Sequence, residues 1–152
     1  MCGTGSKTLS TNIGFIGSKD KKLIELMRYM SNSYSNATCI NPVQAATSLA
    51  QLSILRSQEG VERRRKVTEN YKYTRGILNS KGHTIIGNPC AIMPVFIGNE
   101  VISRLVSRIM MDKGVHVNGI EYPVVAIGQA RLRVSLLPQH TKEHLDLFIR
   151  IF

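Results

Sequence analysis

Gly114-Val115-His116-Val117-Asn118-Gly119-Ile120-Glu121-Tyr122-Pro123-Val124-Val125 leads through Gly128 into Ala130-Arg131-Leu132-Arg133 and closes at His140-Thr141. From Ala130 to Leu136 apolar and polar residues alternate well enough for a strand with one face in a core. Two arginines two residues apart on a strand point to the same face, so both can aim at one anion. Alternatively one binds a ligand while the other meets a surface partner, or both form ordinary salt bridges. His140, just before a helix cap at Thr141, is either a local hydrogen-bonding residue or an acid–base group.

The pattern outward from this run is that of a small α+β layer. Downstream, Thr141 caps a helix over 142–152 with Leu145, Phe148 and Ile149 facing in. Upstream, Val115 to Val117 reads as strand, and Gly114 closes a helix over 100–111 that presents Val101, Leu105, Val106 and Ile109. Thr84 to Ile86 and Ile92 to Ile97 are short apolar stretches separated by the turn signal Gly87-Asn88-Pro89. Before them lies a highly charged helix over 61–80, with Val67, Tyr71, Thr74, Ile77 and Leu78 inside, a break at Gly60 and a stop at Gly82. About three strands with helices on one face follow from this order.

Further upstream, Asn41-Pro42 is a helix start, with asparagine at the cap, proline at the first helical position and Gln44 three residues on. Its helix, carrying Ala45, Ala46, Leu49, Ala50, Leu52 and Ile54, is apolar on more than one side and expected between layers. Ile13 to Gly17 reads as a short buried strand. Ser18 then caps a helix over 19–30 whose stripe is Leu23, Leu26, Met27 and Met30.

The N-terminal run Gly3-Thr4-Gly5-Ser6-Lys7-Thr8 has a different character. Glycines let a bound group approach the backbone, and the Thr4, Ser6 and Thr8 hydroxyls are neutral donors for a phosphate. Lys7 beside them is either a solvated loop residue or an amine able to condense with an aldehyde. A nucleotide P-loop is excluded by spacing, because Ser6 separates the glycine from the lysine.

Composition narrows the classes. At 152 residues and 43% hydrophobic the chain can hold one domain with a core, or part of a larger one. No apolar run reaches membrane-span length, and the Met1 end lacks a signal-peptide layout, so a soluble, cytoplasmic product is expected. Cys2, Cys39 and Cys90 are scattered, without metal-ligand spacing, which suits a reducing compartment and no metal. The net charge of +10 favours anionic partners, a nucleic acid or a small molecule with several phosphates. Much of it lies at Lys19, Lys21 and Lys22 and at Arg63 to Lys66, where solvated helix faces account for it. Aromatics are sparse and do not interleave with the basic runs, which argues against a single-strand stacking surface.

Together these runs resemble the α-oxoamine synthase family of pyridoxal-phosphate (PLP) enzymes over essentially the whole chain. The opening is similar to the family's Gly-Thr-x-Ser/Gly-Lys segment. Ala37-Thr38-Cys39-Ile40-Asn41-Pro42 resembles its hydroxyl-rich run before two prolines, and the tail resembles its Gly-Ile-x-Val, Tyr-Pro-x-Val and Ala-Arg-Leu-Arg-(x)6-His-Thr signatures. The resemblance implies an α/β protein: the C-terminal part of a fold type I, aspartate-aminotransferase-like transferase. It would hold the end of the large PLP-binding domain (1–41), connecting helices (42–80) and a small α+β domain (81–152). It implies that Lys7 carries the cofactor covalently and that Thr4 and Ser6 lie at the cofactor. Thr38 would reach the cofactor phosphate of a neighbouring subunit in a homodimer. Arg133, and with it Arg131, would bind the carboxylate of a small amino acid (glycine, serine or alanine), the second substrate being an acyl-CoA.

The chain departs from the family pattern at Asn12 and Ile13, where a Gly-Gly pair is usual, and at Asn41 and Ala126, where prolines are usual. None of these removes a catalytic group. The family's aspartate at the pyridine nitrogen and its ring-stacking histidine have no counterpart, so the chain alone is expected to be inactive. A non-catalytic subunit of the same fold, paired with an active partner, is the alternative; retention of Lys7 speaks against it. A basic nucleic-acid-binding domain is a further alternative that no motif supports.

Overall fold

The computed structural model describes all 152 residues. Its elements in chain order are β1 (Cys2–Thr4), β2 (Gly14–Ile16), α1 (Lys21–Met30), α2 (Asn32–Ser35), α3 (Pro42–Arg56), α4 (Gln58–Ser80), β3 (Ile92–Gly98), α5 (Glu100–Asp112), β4 (Asn118–Ile120), β5 (Ala130–Ser135) and α6 (Lys142–Ile151). The chain divides into two compact units, Met1–Val61 and Glu62–Phe152.

In the first unit β1 and β2 form an antiparallel hairpin, with Gly3 opposite Phe15. The β2 strand expected to be buried is exposed along its length. Helix α1 starts two residues later than its sequence pattern indicated. Asp20, not Ser18, is the cap and accepts from the N–H groups of Lys22 and Leu23 at 2.9 and 3.3 Å, while Ser18 Oγ accepts from the Asp20 N–H at 3.1 Å. A carboxylate reaches two orphan amides at once, so it wins the cap from a neighbouring hydroxyl. Asn41 caps α3 as expected, accepting from the Gln44 N–H at 2.9 Å, with Pro42 at the first turn.

Burial reverses two expectations for this unit. Leu23, Leu26 and Met30 on α1 are exposed, and Leu49, Leu52 and Ile54 leave α3 bare instead of between layers. Ser48 is the buried side chain of α3, and its Oγ lies 3.2 Å from that of the buried Thr11. Every buried hydrophobic side chain of the described structure belongs to the second unit. The break after α3 falls at Ser57, and Gly60 lies in the first turn of α4. There a Cβ would come within 2.4 Å of the Ile54 carbonyl oxygen, so glycine permits the tight join.

The second unit is a three-stranded antiparallel sheet ordered β3-β5-β4. Tyr71 and Leu78 of α4, Met110 of α5, and Leu145, Phe148 and Ile149 of α6 pack with Met93, Val95, Leu132 and Val134 of the sheet in one core. The other face of the sheet is half exposed. Alternation therefore succeeded for β5, where Ala130, Leu132 and Val134 are buried and Arg131 and Arg133 are not. The strand expected at 84–86 is reduced to one bridge, Ile85 with Val95, and that expected at 115–117 forms three residues later, at β4. A strand exists where a partner offers matched hydrogen-bonding groups, which apolar character alone does not locate. Helix α5 meets its expected orientation only at Val106, which packs against the core: Ser103 and Met110 are buried, and Val101, Leu105 and Ile109 are exposed.

Polar ties fix the helices. Tyr73 donates to Asp146 Oδ1 at 2.5 Å, and Lys81 Nζ donates to the Ile149 carbonyl at 2.7 Å. Asn70 Nδ2 donates to the carbonyls of Leu137 and His140 at 3.0 and 3.2 Å. Within that turn His140 Nδ1 accepts from the Leu137 N–H at 3.3 Å, and His144 Nδ1 accepts from the Thr141 N–H at 3.3 Å. His140 thus serves as a local hydrogen-bonding residue. Burial, and secondarily the neighbouring His144, pushes its pKa down. The folded state therefore prefers neutral His140, while the unfolded chain takes up a proton near pH 6.5. Stability from this residue is present above that pH and lost as pH falls through it toward the lower folded value. Thermal unfolding from pH 7.5 to 5 is expected to show a falling midpoint whose slope is shallower in His140→Asn; equal slopes would contradict this.

Candidate functional site

The lysine-bearing segment is the loop of the β1–β2 hairpin. Gly5 N–H donates to the Ile13 carbonyl at 2.7 Å, Thr11 N–H to the Gly5 carbonyl at 3.1 Å, and Ser10 N–H to the Lys7 carbonyl at 3.3 Å. These bonds fold residues 5–11 back on themselves and leave Thr4, Ser6 and Lys7 exposed. Thr4 Oγ1 accepts from the Ser6 N–H at 3.2 Å and lies 3.2 Å from Ser6 Oγ. Two hydroxyls and one amine thus share one turn. That donor set suits a phosphorylated carbonyl compound, with hydroxyl donors for the phosphate and an amine for the carbonyl.

Gly5 is buried, and a Cβ there would meet Thr11 Oγ1 at 2.5 Å and Ile13 Cγ1 at 2.6 Å. Both are close to the backbone and held, Thr11 by Ser48. Gly5→Ala is expected to displace the loop through overpacking, at about 1–3 kcal/mol in the assembled protein; a loop that keeps the parent's conformation would contradict this. Sequence reasoning missed the Thr11–Ser48 tie, because two isolated hydroxyls 37 residues apart leave no local signal. Thr38 lies exposed in the loop between α2 and α3.

Arg131 and Arg133 fall in the second unit, on the open face of the sheet, away from its core. Arg131 is flanked across the strands by Phe96 and Ile120, and its Nε donates to the Gln129 carbonyl at 3.0 Å. Arg133 is flanked by Pro94 and Asn118. Its Nε is buried and has no hydrogen-bond partner within the chain, which leaves a donor free for an acceptor. The segment between β4 and β5 is pinned to α5. Glu100 accepts from the Gly128 N–H at 2.7 Å, which, with its own N–H, holds its carboxyl below the usual range, and Arg104 Nε lies 3.4 Å from Glu121. No cluster of side chains among the described residues could hold a metal ion, and no helix is long and apolar enough to cross a membrane.

The second unit is a small helix-backed sheet with two arginines on its half-exposed face, and the first carries a hydroxyl-rich lysine loop, within an α/β protein. Comparison with known proteins makes this specific. The aminotransferase class I and II family matches residues 1–152, and the chain belongs to that family, on its α-oxoamine synthase branch. It is 31% identical over 155 residues to the 2-amino-3-ketobutyrate coenzyme A ligase of Salmonella typhimurium, covering 99% of this chain and 38% of that protein. It is 32% identical over 150 residues to the 8-amino-7-oxononanoate synthase of Thermoanaerobacter pseudethanolicus, covering 99% and 37%. The fold matches a variant serine palmitoyltransferase from S. paucimobilis with bound PLP–myriocin aldimine. There the TM-score is 0.87 at 24% identity, over 99% of this chain and 38% of that one. The chain thus spans a little over a third of the length of these relatives.

Proposed function

We propose that this chain is the C-terminal part of a PLP-dependent acyl-CoA:amino acid C-acyltransferase, which condenses a small amino acid with an acyl-CoA to an aminoketone, releasing carbon dioxide and free CoA. The observation that carries this reading is the pairing, in one chain aligned throughout with such relatives, of the Thr4-Ser6-Lys7 turn with an Arg133 that has a donor to spare. PLP, when bound, supplies an electron sink for negative charge at the amino acid's α-carbon.

The chain's own residues supply the rest. The Thr4 and Ser6 hydroxyls donate to phosphate oxygens and orient the cofactor. The Lys7 amine would hold the cofactor and would accept the Cα proton of a bound amino acid. Arg133 binds the amino acid's carboxylate and so fixes the orientation of the substrate. Thr38, exposed before α3, is assigned to the cofactor phosphate of a neighbouring subunit in a homodimer, and Arg131 to a supporting positive charge.

The first unit buries no apolar side chain, so it cannot be stable by its own packing. We read its bare α1 and α3 faces as covered in the working enzyme by further polypeptide, and the 152 residues alone as inactive. Cofactor capture by Lys7 is testable in the assembled transferase. Incubation with PLP, borohydride reduction and peptide mapping should place a pyridoxyl group on Lys7 in preference to the other lysines. Labelling spread evenly over them would sink the assignment.

A further inference from the structure

We infer that Asn118 is a positioning residue that completes a carboxylate clamp with Arg133, an inference that rests on the reading of Arg133 as the carboxylate ligand. The register places Asn118 directly opposite Arg133 across the β4–β5 ladder, so the two side chains rise from the same face of the sheet. That face is the one turned from the core. Asn118 is exposed, and Arg133 pairs with no carboxylate of the chain while its buried Nε lacks an acceptor.

The neighbouring arginine has neither property. Arg131 Nε already donates to the Gln129 carbonyl, and its cross-strand neighbours Phe96 and Ile120 are apolar. The two ends of the open face therefore differ. The Arg133 end offers a planar fork and a carboxamide donor side by side, whereas the Arg131 end offers an apolar flank.

A carboxylate has two oxygens and about four acceptor sites, more than one guanidinium edge can fill. Arg133 takes one edge of the group, and Asn118 Nδ2–H donates to the oxygen left over. The second donor fixes the rotation of the carboxylate about its bond to Cα, which a single ion pair leaves loose. The substrate class this selects is an α-amino acid with a free carboxylate, in preference to its amide or ester.

The test uses the isotope-labelled 152-residue chain and sodium acetate as probe at constant ionic strength, following the Nε–Hε resonance of Arg133, with acetamide as the neutral control. The parent should show a saturable shift with acetate and none with acetamide. Asn118→Ala should weaken acetate binding about tenfold, the loss expected for one charge-assisted hydrogen bond. Asn118→Thr, which keeps a donor and suits a strand, should stay within about threefold of the parent. Asn118→Asp should abolish the response, because its own carboxylate would occupy the fork. Unchanged backbone amide spectra in the Ala and Thr variants exclude simple unfolding. If the parent responds while Asn118→Ala and Asn118→Asp bind within about twofold of it, the role of Asn118 is overturned and that of Arg133 stands. If Arg133 does not respond in the parent, the carboxylate reading of Arg133 fails, and the clamp with it.

Discussion

Replacing Lys7 by alanine is expected to abolish turnover in the assembled transferase and to remove the pyridoxyl label from residue 7. Loss of proton transfer by a positioned base costs about 10²–10⁴-fold in rate on its own. Losing the amine that anchors the cofactor adds to that, so the combined effect should exceed any other single substitution in the chain. Folding should not change, since Lys7 is exposed and accepts from the Ser10 N–H through its backbone carbonyl, not its side chain. Lys7→Arg separates charge from chemistry, because it keeps the cation but cannot act as a base near neutral pH. Release of free CoA, measured with glycine and an acyl-CoA, is the readout. Residual turnover in Lys7→Ala above about a tenth of the parent would remove Lys7 from the mechanism.

Leu132→Ala should be the most damaging change to stability, at about 2–5 kcal/mol. Leu132 is fully buried at the centre of β5, between Val95 on one side and Gly119 on the other. Its neighbours cannot collapse into the space without bending the central strand. Such a loss is a large share of the roughly 5–15 kcal/mol available to a domain. Because Arg131 and Arg133 flank it on the same strand, a folded remnant should also bind carboxylates less tightly. Leu49→Ala on α3 is the matching control. Leu49 is 68% exposed, and its truncation should stay within about 0.5 kcal/mol in the isolated chain. Chemical denaturation of both variants checks the pair, and comparable losses would mean that Leu49 is packed in solution.

Features written within a few residues are legible in the sequence alone. Asn41-Pro42 starts a helix because the cap and the ring constraint act locally, and Gly82 and Gly114 stop helices because each adopts a positive φ that other residues resist. The inward stripe of α6, Leu145, Phe148 and Ile149, and the alternation of β5 were likewise plain. For the candidate site, residue types and spacing singled out Thr4, Ser6, Lys7, Arg131 and Arg133, but not how each is held. Nothing local distinguishes Arg131, whose Nε is satisfied by the Gln129 carbonyl, from Arg133, whose Nε is not.

The sequence by itself determined the family, the helices of the second unit with its strands β3 and β5, and the chemistry available at the lysine loop and the arginine strand. Those depend on residue identity and short-range periodicity, which a linear chain carries in full. Tertiary structure alone decided that β4 begins at Asn118, which places that residue opposite Arg133. It alone decided that the apolar stripes of α1 and α3 stay bare while those of α4 and α6 are buried. Strand register and burial are properties of pairs of segments, fixed by which surfaces meet, and no single segment encodes its partner.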